Sequence, residues 1–152
     1  MDGPAPVEAR RAALAALAAA EVIEMSAAVD GLPETLAFET VRPPEVGLVM
    51  ARGRIGGGGA PFNLGEVTVT RAVVRIASGE VGFGHILGRD TNRALLVAKL
   101  DALWQSTRYR DLVEERVITP VRQRIAAEDA ETRRKTAATR VNFFTLVRGE
   151  DG

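Results

Sequence analysis

Glu66-Val67-Thr68-Val69-Thr70-Arg71-Ala72-Val73-Val74-Arg75-Ile76-Ala77 is the stretch that decides the fold. Val67 and Val69 point one way and Glu66, Thr68 and Thr70 the other, which is the period of a β-strand. In the second half the phase inverts: Ala72, Val74 and Ile76 are apolar where Arg71 and Arg75 are polar. A bulge or a change of covering layer near Arg71 accounts for the switch. Downstream, Ser78-Gly79 reads as a tight turn into a second strand from Val81 to Leu87. Gly82 and Gly84 leave one face of that strand without side chains, a device that admits a ligand or another backbone. Upstream, Leu48, Val49 and Met50 form an apolar run that turns polar at Arg52 and Arg54, and those two arginines share one face, continuing from Leu48 and Met50. Pro43-Pro44 marks the boundary before this run. Three strands with short connections predict an antiparallel meander.

Helices flank the meander. Pro6 suits the first position of a helix, and Leu14, Ala18, Val22, Met25 and Val29 recur at helical steps, predicting one N-terminal helix that stops at Gly31. Asp90 or Thr91 caps a helix that turns Leu96, Leu100, Leu103 and Trp104 toward a core. A further helical region starts near Tyr109 and meets Pro120, where it breaks, kinks or restarts. Beyond it, Asp129 with Arg133 and Glu131 with Lys135 have the spacing of helical ion pairs. Val141 to Val147 returns to strand character. The predicted architecture is α+β: an N-terminal helix, an antiparallel β-meander, a helical pair or triplet and a closing C-terminal strand, in a single domain over residues 1–152.

The composition excludes several classes of function. The chain has 152 residues, 46% hydrophobic and 26% charged, with 20 basic and 20 acidic side chains and a net charge of +0. No global field draws it to nucleic acid or to an anionic membrane. With no cysteine and a single histidine, His85, thiolate chemistry and multi-histidine metal sites are excluded, and no intrinsic cofactor or metal is expected. The Ala-rich run from Ala12 to Ala20 is bounded by Glu8, Glu21 and Glu24 and reads as a helix rather than a signal peptide, so the chain is expected to be cytoplasmic.

The chemistry-bearing residues gather around a glycine run. Gly56, Gly57, Gly58 and Gly59 follow Arg52 and Arg54 and precede Asn63, Glu66 and Arg71. Consecutive glycines turn backbone N–H groups toward an anion, and arginine forks suit phosphate oxygens. The same run also reads as a flexible turn between strands, and no Gly-Lys-Ser/Thr or dinucleotide fingerprint accompanies it. The candidate ligand-binding residues are Arg52, Arg54, Gly56, Gly57, Gly59, Asn63, Glu66 and Arg71, with Arg89 beside the helix cap. His85, sharing a face with Val81, Phe83 and Leu87, is expected to be a hydrogen-bonded core or interface histidine rather than a catalytic one. No catalytic residue is assigned.

The run from Gly47 to Arg71, the triplet Gly88-Arg89-Asp90 and the stretch from Thr139 to Gly149 resemble, in order and spacing, the PhnG family. The resemblance implies a subunit of the bacterial C–P lyase core complex, partnered by PhnH, PhnI and PhnJ and acting functionally with PhnL. It implies participation in replacing the adenine of ATP with methylphosphonate to give ribose 1-methylphosphonate 5-triphosphate. ATP and methylphosphonate are then substrates of the complex, and the isolated chain is inactive, with a homodimer as one option. The alternative is a structural subunit that only completes its partners. The family commonly has a hydroxyl residue at the place of Gly58 and an aspartate at that of Asn142, so neither position is given proton-transfer chemistry.

Overall fold

The computed structural model describes residues 6–33, 36–56 and 58–139. Its first compact unit ends at Arg122 and its second begins at Gln123. The first unit is built on a three-stranded antiparallel sheet in the order β1-β2-β3, with β1 at Phe38–Gly53, β2 at Phe62–Ile76 and β3 at Val81–Leu87. The predicted meander and the α+β class are therefore present. The predicted closing strand at Val141 to Val147 lies outside the described residues.

Helix α3, Thr91–Gln105, covers one face of the sheet. Asp90 caps it, its carboxylate accepting the Arg93 N–H at 2.9 Å, as predicted. Leu96, Leu100, Leu103 and Trp104 are all buried, joined under the helix by Val74 and Ile76. The bare face of β3 is what lets the helix come so close. A Cβ on Gly84 would lie 2.8 Å from the carbonyl carbon of Ala94 and 3.1 Å from the nitrogen of Ala98, and one on Gly82 would collide with Ala98 and Ala102 in the same way. The other backbone that the glycines admit is thus this chain's own helix.

Two strand boundaries differ from expectation. β1 begins at Phe38 and runs straight through Pro43-Pro44. It can do so because it is an edge strand and because its register against β2 slips between Thr40 and Arg42 and again between Arg42 and Glu45. Bulges at an edge are where missing proline N–H groups cost no ladder bonds. β2 starts at Phe62 rather than Glu66. Its phase switch is a change of cover, not a bulge in β2. The pairing with β3 is continuous from Val69 to Arg75, and the Thr70, Ala72, Val74 and Ile76 side is the one buried toward α3.

The predicted single N-terminal helix is two: α1, Val7–Ala19, and α2, Val22–Asp30, bent by 111°. Ala20 and Glu21 are extended, and Glu21 with Glu24 forms a reciprocal capping box that opens α2. Arg93, from α3, donates to the carbonyls of Ala18 at 2.6 Å and Ala20 at 3.0 Å, satisfying acceptors that a helix end leaves open. The buried residues are accordingly Ala13, Ala16, Leu17, Ala20, Met25 and Ala28, and of the expected stripe only Met25 is fully buried.

Pro120 does not break the last helical region. α4, Arg110–Val113, passes into a π-helical turn at Glu114–Ile118 and then α5, Thr119–Ala138. The widened turn sits directly before the proline, where the ordinary i to i−4 bond is lost. Trp104 Nε1 donates to Glu114 at 2.7 Å and Arg110 lies 5.0 Å from the Trp104 ring centroid, which ties this turn to α3. In the second unit the helical residues are largely exposed, and Glu131 pairs with Lys135 at 3.5 Å and also with Arg134.

Candidate functional site

The hairpin of β1 and β2 outruns β3. β2 meets β3 from Val69 to Arg75, with the Gly88 N–H donating to the Thr68 carbonyl just beyond, so Phe62–Val67 runs beside β1 alone. At the rise of a strand this makes a two-stranded arm of roughly 20 Å. Val46, Leu48 and Met50 lie opposite Thr70, Thr68 and Glu66, on the side that α3 buries elsewhere in the sheet. Beyond the helix that side is open, and Leu48 and Met50 are 60% and 50% exposed.

The arm's tip holds most of the predicted ligand-binding residues. Arg52 stands opposite Asn63, and Arg54 follows at the strand end. Gly56 has φ +61°, a conformation that suits glycine. The Gly58 N–H donates to the Gly56 carbonyl, so that amide is used in closing the turn and does not point outward as an anion donor. Gly59 is half-buried at the base of the turn, and Gly57 lies outside the described residues. Glu66 is opposite Met50 farther down the arm. The side chains of Arg52, Arg54, Asn63, Glu66 and Arg89 are exposed and form no hydrogen bond or ion pair with another described residue.

Arg71 does not join them. It lies roughly 27 Å along β2 from Asn63 at the rise of a strand, at the arm's root, with Glu45 opposite on β1 and His85 opposite on β3. In the next row Arg42, Val73 and Phe83 are aligned across the three strands. Arg71 Nη2 donates to Glu45 Oε1 at 2.8 Å, and Arg42 Nη1 reaches the same oxygen at 3.5 Å. Gly47 leaves space beside Arg71, whose Nη2 lies 3.8 Å from where a Cβ would stand. His85 is exposed on the open face of the sheet, so of the two expected readings, core or interface, the core one does not hold. Odd-numbered residues of β3 face away from α3, and α1 borders them at the edge, where Val7, Arg10, Arg11 and Leu14 line a cavity with Phe83 and His85.

Sequence reasoning missed Arg42, Glu45 and Phe83 as members of this group. Reading Pro43-Pro44 as a boundary removed Arg42 from any strand, and only the register reveals that it stands beside Arg71. It also missed Asp101, a carboxylate 1% exposed. Asp101 accepts from Arg10 Nη2 at 2.6 Å, Arg10 Nε at 3.1 Å and the Phe83 N–H at 2.9 Å. With every oxygen taken, it closes the outer edge of β3 and fixes α1 there.

Comparison with known proteins places these features in a family. Residues 8–149 match the family described as phosphonate metabolism protein PhnG. The chain is also similar to the alpha-D-ribose 1-methylphosphonate 5-triphosphate synthase subunit PhnG of Rhizobium meliloti (strain 1021). The two are 52% identical over 147 residues, covering 97% of this chain and 94% of that protein.

Proposed function

This chain belongs to the PhnG family of phosphonate-metabolism proteins, and on that premise we propose that it is a subunit of an alpha-D-ribose 1-methylphosphonate 5-triphosphate synthase within a C–P lyase system. The observation that carries this reading is the 52% identity with a synthase subunit across nearly the whole of both chains. In the proposed reaction the bond from ribose C1 to adenine breaks and a phosphonate oxygen takes its place, with ATP and methylphosphonate as substrates. Positive charge develops at C1 while the triphosphate and the phosphonate bring negative charge that must be neutralised.

Arg52 and Arg54 are the residues we assign to that neutralisation. They are exposed at the end of an arm that reaches away from the body of its own fold, with guanidinium donors that no described residue engages. PhnI is the partner to which the glycosidic chemistry is assigned, with PhnH and PhnJ completing the core and PhnL acting with it in the cytoplasm. The exposed Leu48 and Met50 favour a second reading, a subunit that only completes its partners. Adenine release from ATP and methylphosphonate, measured with purified partner subunits with and without this chain, tests the first. Release at full rate without the chain would refute a role in the synthase, and loss of assembly rather than turnover would favour the structural reading.

A further inference from the structure

We propose that the outer face of the sheet at the arm's root binds a tetrahedral oxyanion of the phosphate or phosphonate class. The subunit role assigns nothing to this face, and the inference stands on its geometry alone. Three neighbouring strands each contribute one basic side chain: Arg42 from β1, Arg71 from β2 and His85 from β3. All three line a cavity of about 560 Å³, with Val41, Val73 and Phe83 supplying apolar walls.

The charges do not cancel. Two guanidinium groups share one carboxylate oxygen, that of Glu45, which leaves a net positive charge. A guanidinium has five N–H donors, and each of these arginines shows only its contact with Glu45. Glu39, farther along β1, is held by Arg75 at 3.4 Å, and Asp101 at the outer edge of β3 is saturated by Arg10 and the Phe83 N–H. His85 hydrogen-bonds to no other described residue and stands directly opposite Arg71. Its ring nitrogens are thus left to a ligand on the same face as the two guanidinium groups.

The shape of the donor set selects the ligand. Glu45 already supplies Arg71 with a carboxylate, and the remaining donors line one cavity from three neighbouring strands rather than forming one fork. A tetrahedral oxyanion offers an oxygen to each, with charge-assisted bonds to arginine. An organic group on the ligand would rest on Phe83, 48% exposed, with the Arg10 guanidinium 5.6 Å from its ring centroid.

His85 is the sole histidine of the chain, so its imidazole resonances report on this face without ambiguity. The full chain is titrated by NMR with inorganic phosphate, methylphosphonate and ATP, and with acetate and chloride at matched ionic strength. The expected result is a saturable shift with one or more of the phosphorus compounds, with Kd below about 1 mM, and none with acetate or chloride. Arg71→Gln and Arg42→Gln each weaken binding at least tenfold. Their ion pairs with Glu45 are exposed and contribute little to stability, so both variants remain folded, and either one alone suffices for the comparison. Phe83→Ala weakens the organic ligands but not inorganic phosphate, and the relative strength of methylphosphonate and ATP tells which source the site prefers. Absence of any saturable shift, an equal response to acetate or chloride, or unchanged binding by Arg42→Gln with Arg71→Gln combined would overturn the proposal, whatever the outcome of the adenine-release assay.

Discussion

Gly84→Ala adds one methyl group at the place where sheet and helix are closest. The new Cβ would collide with the carbonyl oxygen of Ala94 and sit 2.8 Å from its carbonyl carbon and 3.1 Å from the nitrogen of Ala98, whereas carbon atoms rest at about 3.5–4.0 Å. All three obstacles are backbone, so no rotamer change relieves them, and α3 must move off β3 by at least about 1 Å. A gap of that size forfeits about a quarter to a half of the dispersion well for the contacts it opens. Those contacts include Ala94, Ala98, Val97 and Ala72, all buried. Overpacking costs about 1–3 kcal/mol in well-packed cores, and a backbone collision belongs at the upper end, about 3 kcal/mol. For a domain of this size that corresponds to a fall in Tm of roughly 6–12 °C. Urea unfolding followed by circular dichroism gives the loss as a lower midpoint at unchanged slope. The sign is a sharp test, because an unobstructed glycine-to-alanine change stabilises by about 0.4–1 kcal/mol through the unfolded chain. Gly58→Ala, whose Cβ would meet nothing nearer than 3.9 Å, is the matched control and is expected to show no comparable loss. A Gly84→Ala protein as stable as the unaltered chain would refute the close-packing account of β3.

Three further outcomes follow from the same contacts. Asp101→Ala removes the acceptor of both Arg10 and the Phe83 N–H and is expected to cost about 3 kcal/mol, the range for stripping one partner from a buried pair. Calorimetry measures it, and a loss under about 1 kcal/mol would contradict the assigned role. Asp90→Ala removes the cap of α3 and is expected to cost about 1 kcal/mol in urea unfolding, whereas Asp90→Asn keeps most of the stability. Arg54→Ala is expected to lower turnover of the assembled synthase at least tenfold, about 1.4 kcal/mol in barrier, with the subunits still co-eluting. Full turnover would remove Arg54 from the proposed chemistry.

What the sequence made legible was local. β3, the turn at Ser78-Gly79 and the Asp90 cap each depend on residues within a few positions of one another, and all three are where pattern and turn chemistry put them. The break between α1 and α2 was hidden because the donor that stabilises it is Arg93, 75 residues from Ala18 in the chain. Nor does glutamate advertise a helix start as serine or aspartate would, so the capping box of Glu21 and Glu24 passed for helix interior. Pro43-Pro44 looked like a boundary for a sound reason, the lost N–H donors. Whether prolines end a strand or sit in one depends on whether the strand is an edge, which is a property of the whole sheet.

The site divides for a reason found in strand lengths. β1 and β2 have 16 and 15 residues and β3 only 7, so one hairpin carries two kinds of surroundings. At its root β2 is braced by a strand on each side, and α3 backs the sheet from behind. Arg71 there has a fixed bearing on Glu45 and His85, which sequence proximity to the glycine run gave no hint of. At its tip Arg52 and Arg54 are held by a single partner strand with an apolar side left open. Preorganised donors are what binding a charged group rewards most, and the root has them without help. A surface closing over the exposed Leu48 and Met50 would brace the tip as well, so on our proposal Arg52 and Arg54 act in the assembly, while the oxyanion proposed at Arg42, Arg71 and His85 is held by the chain alone.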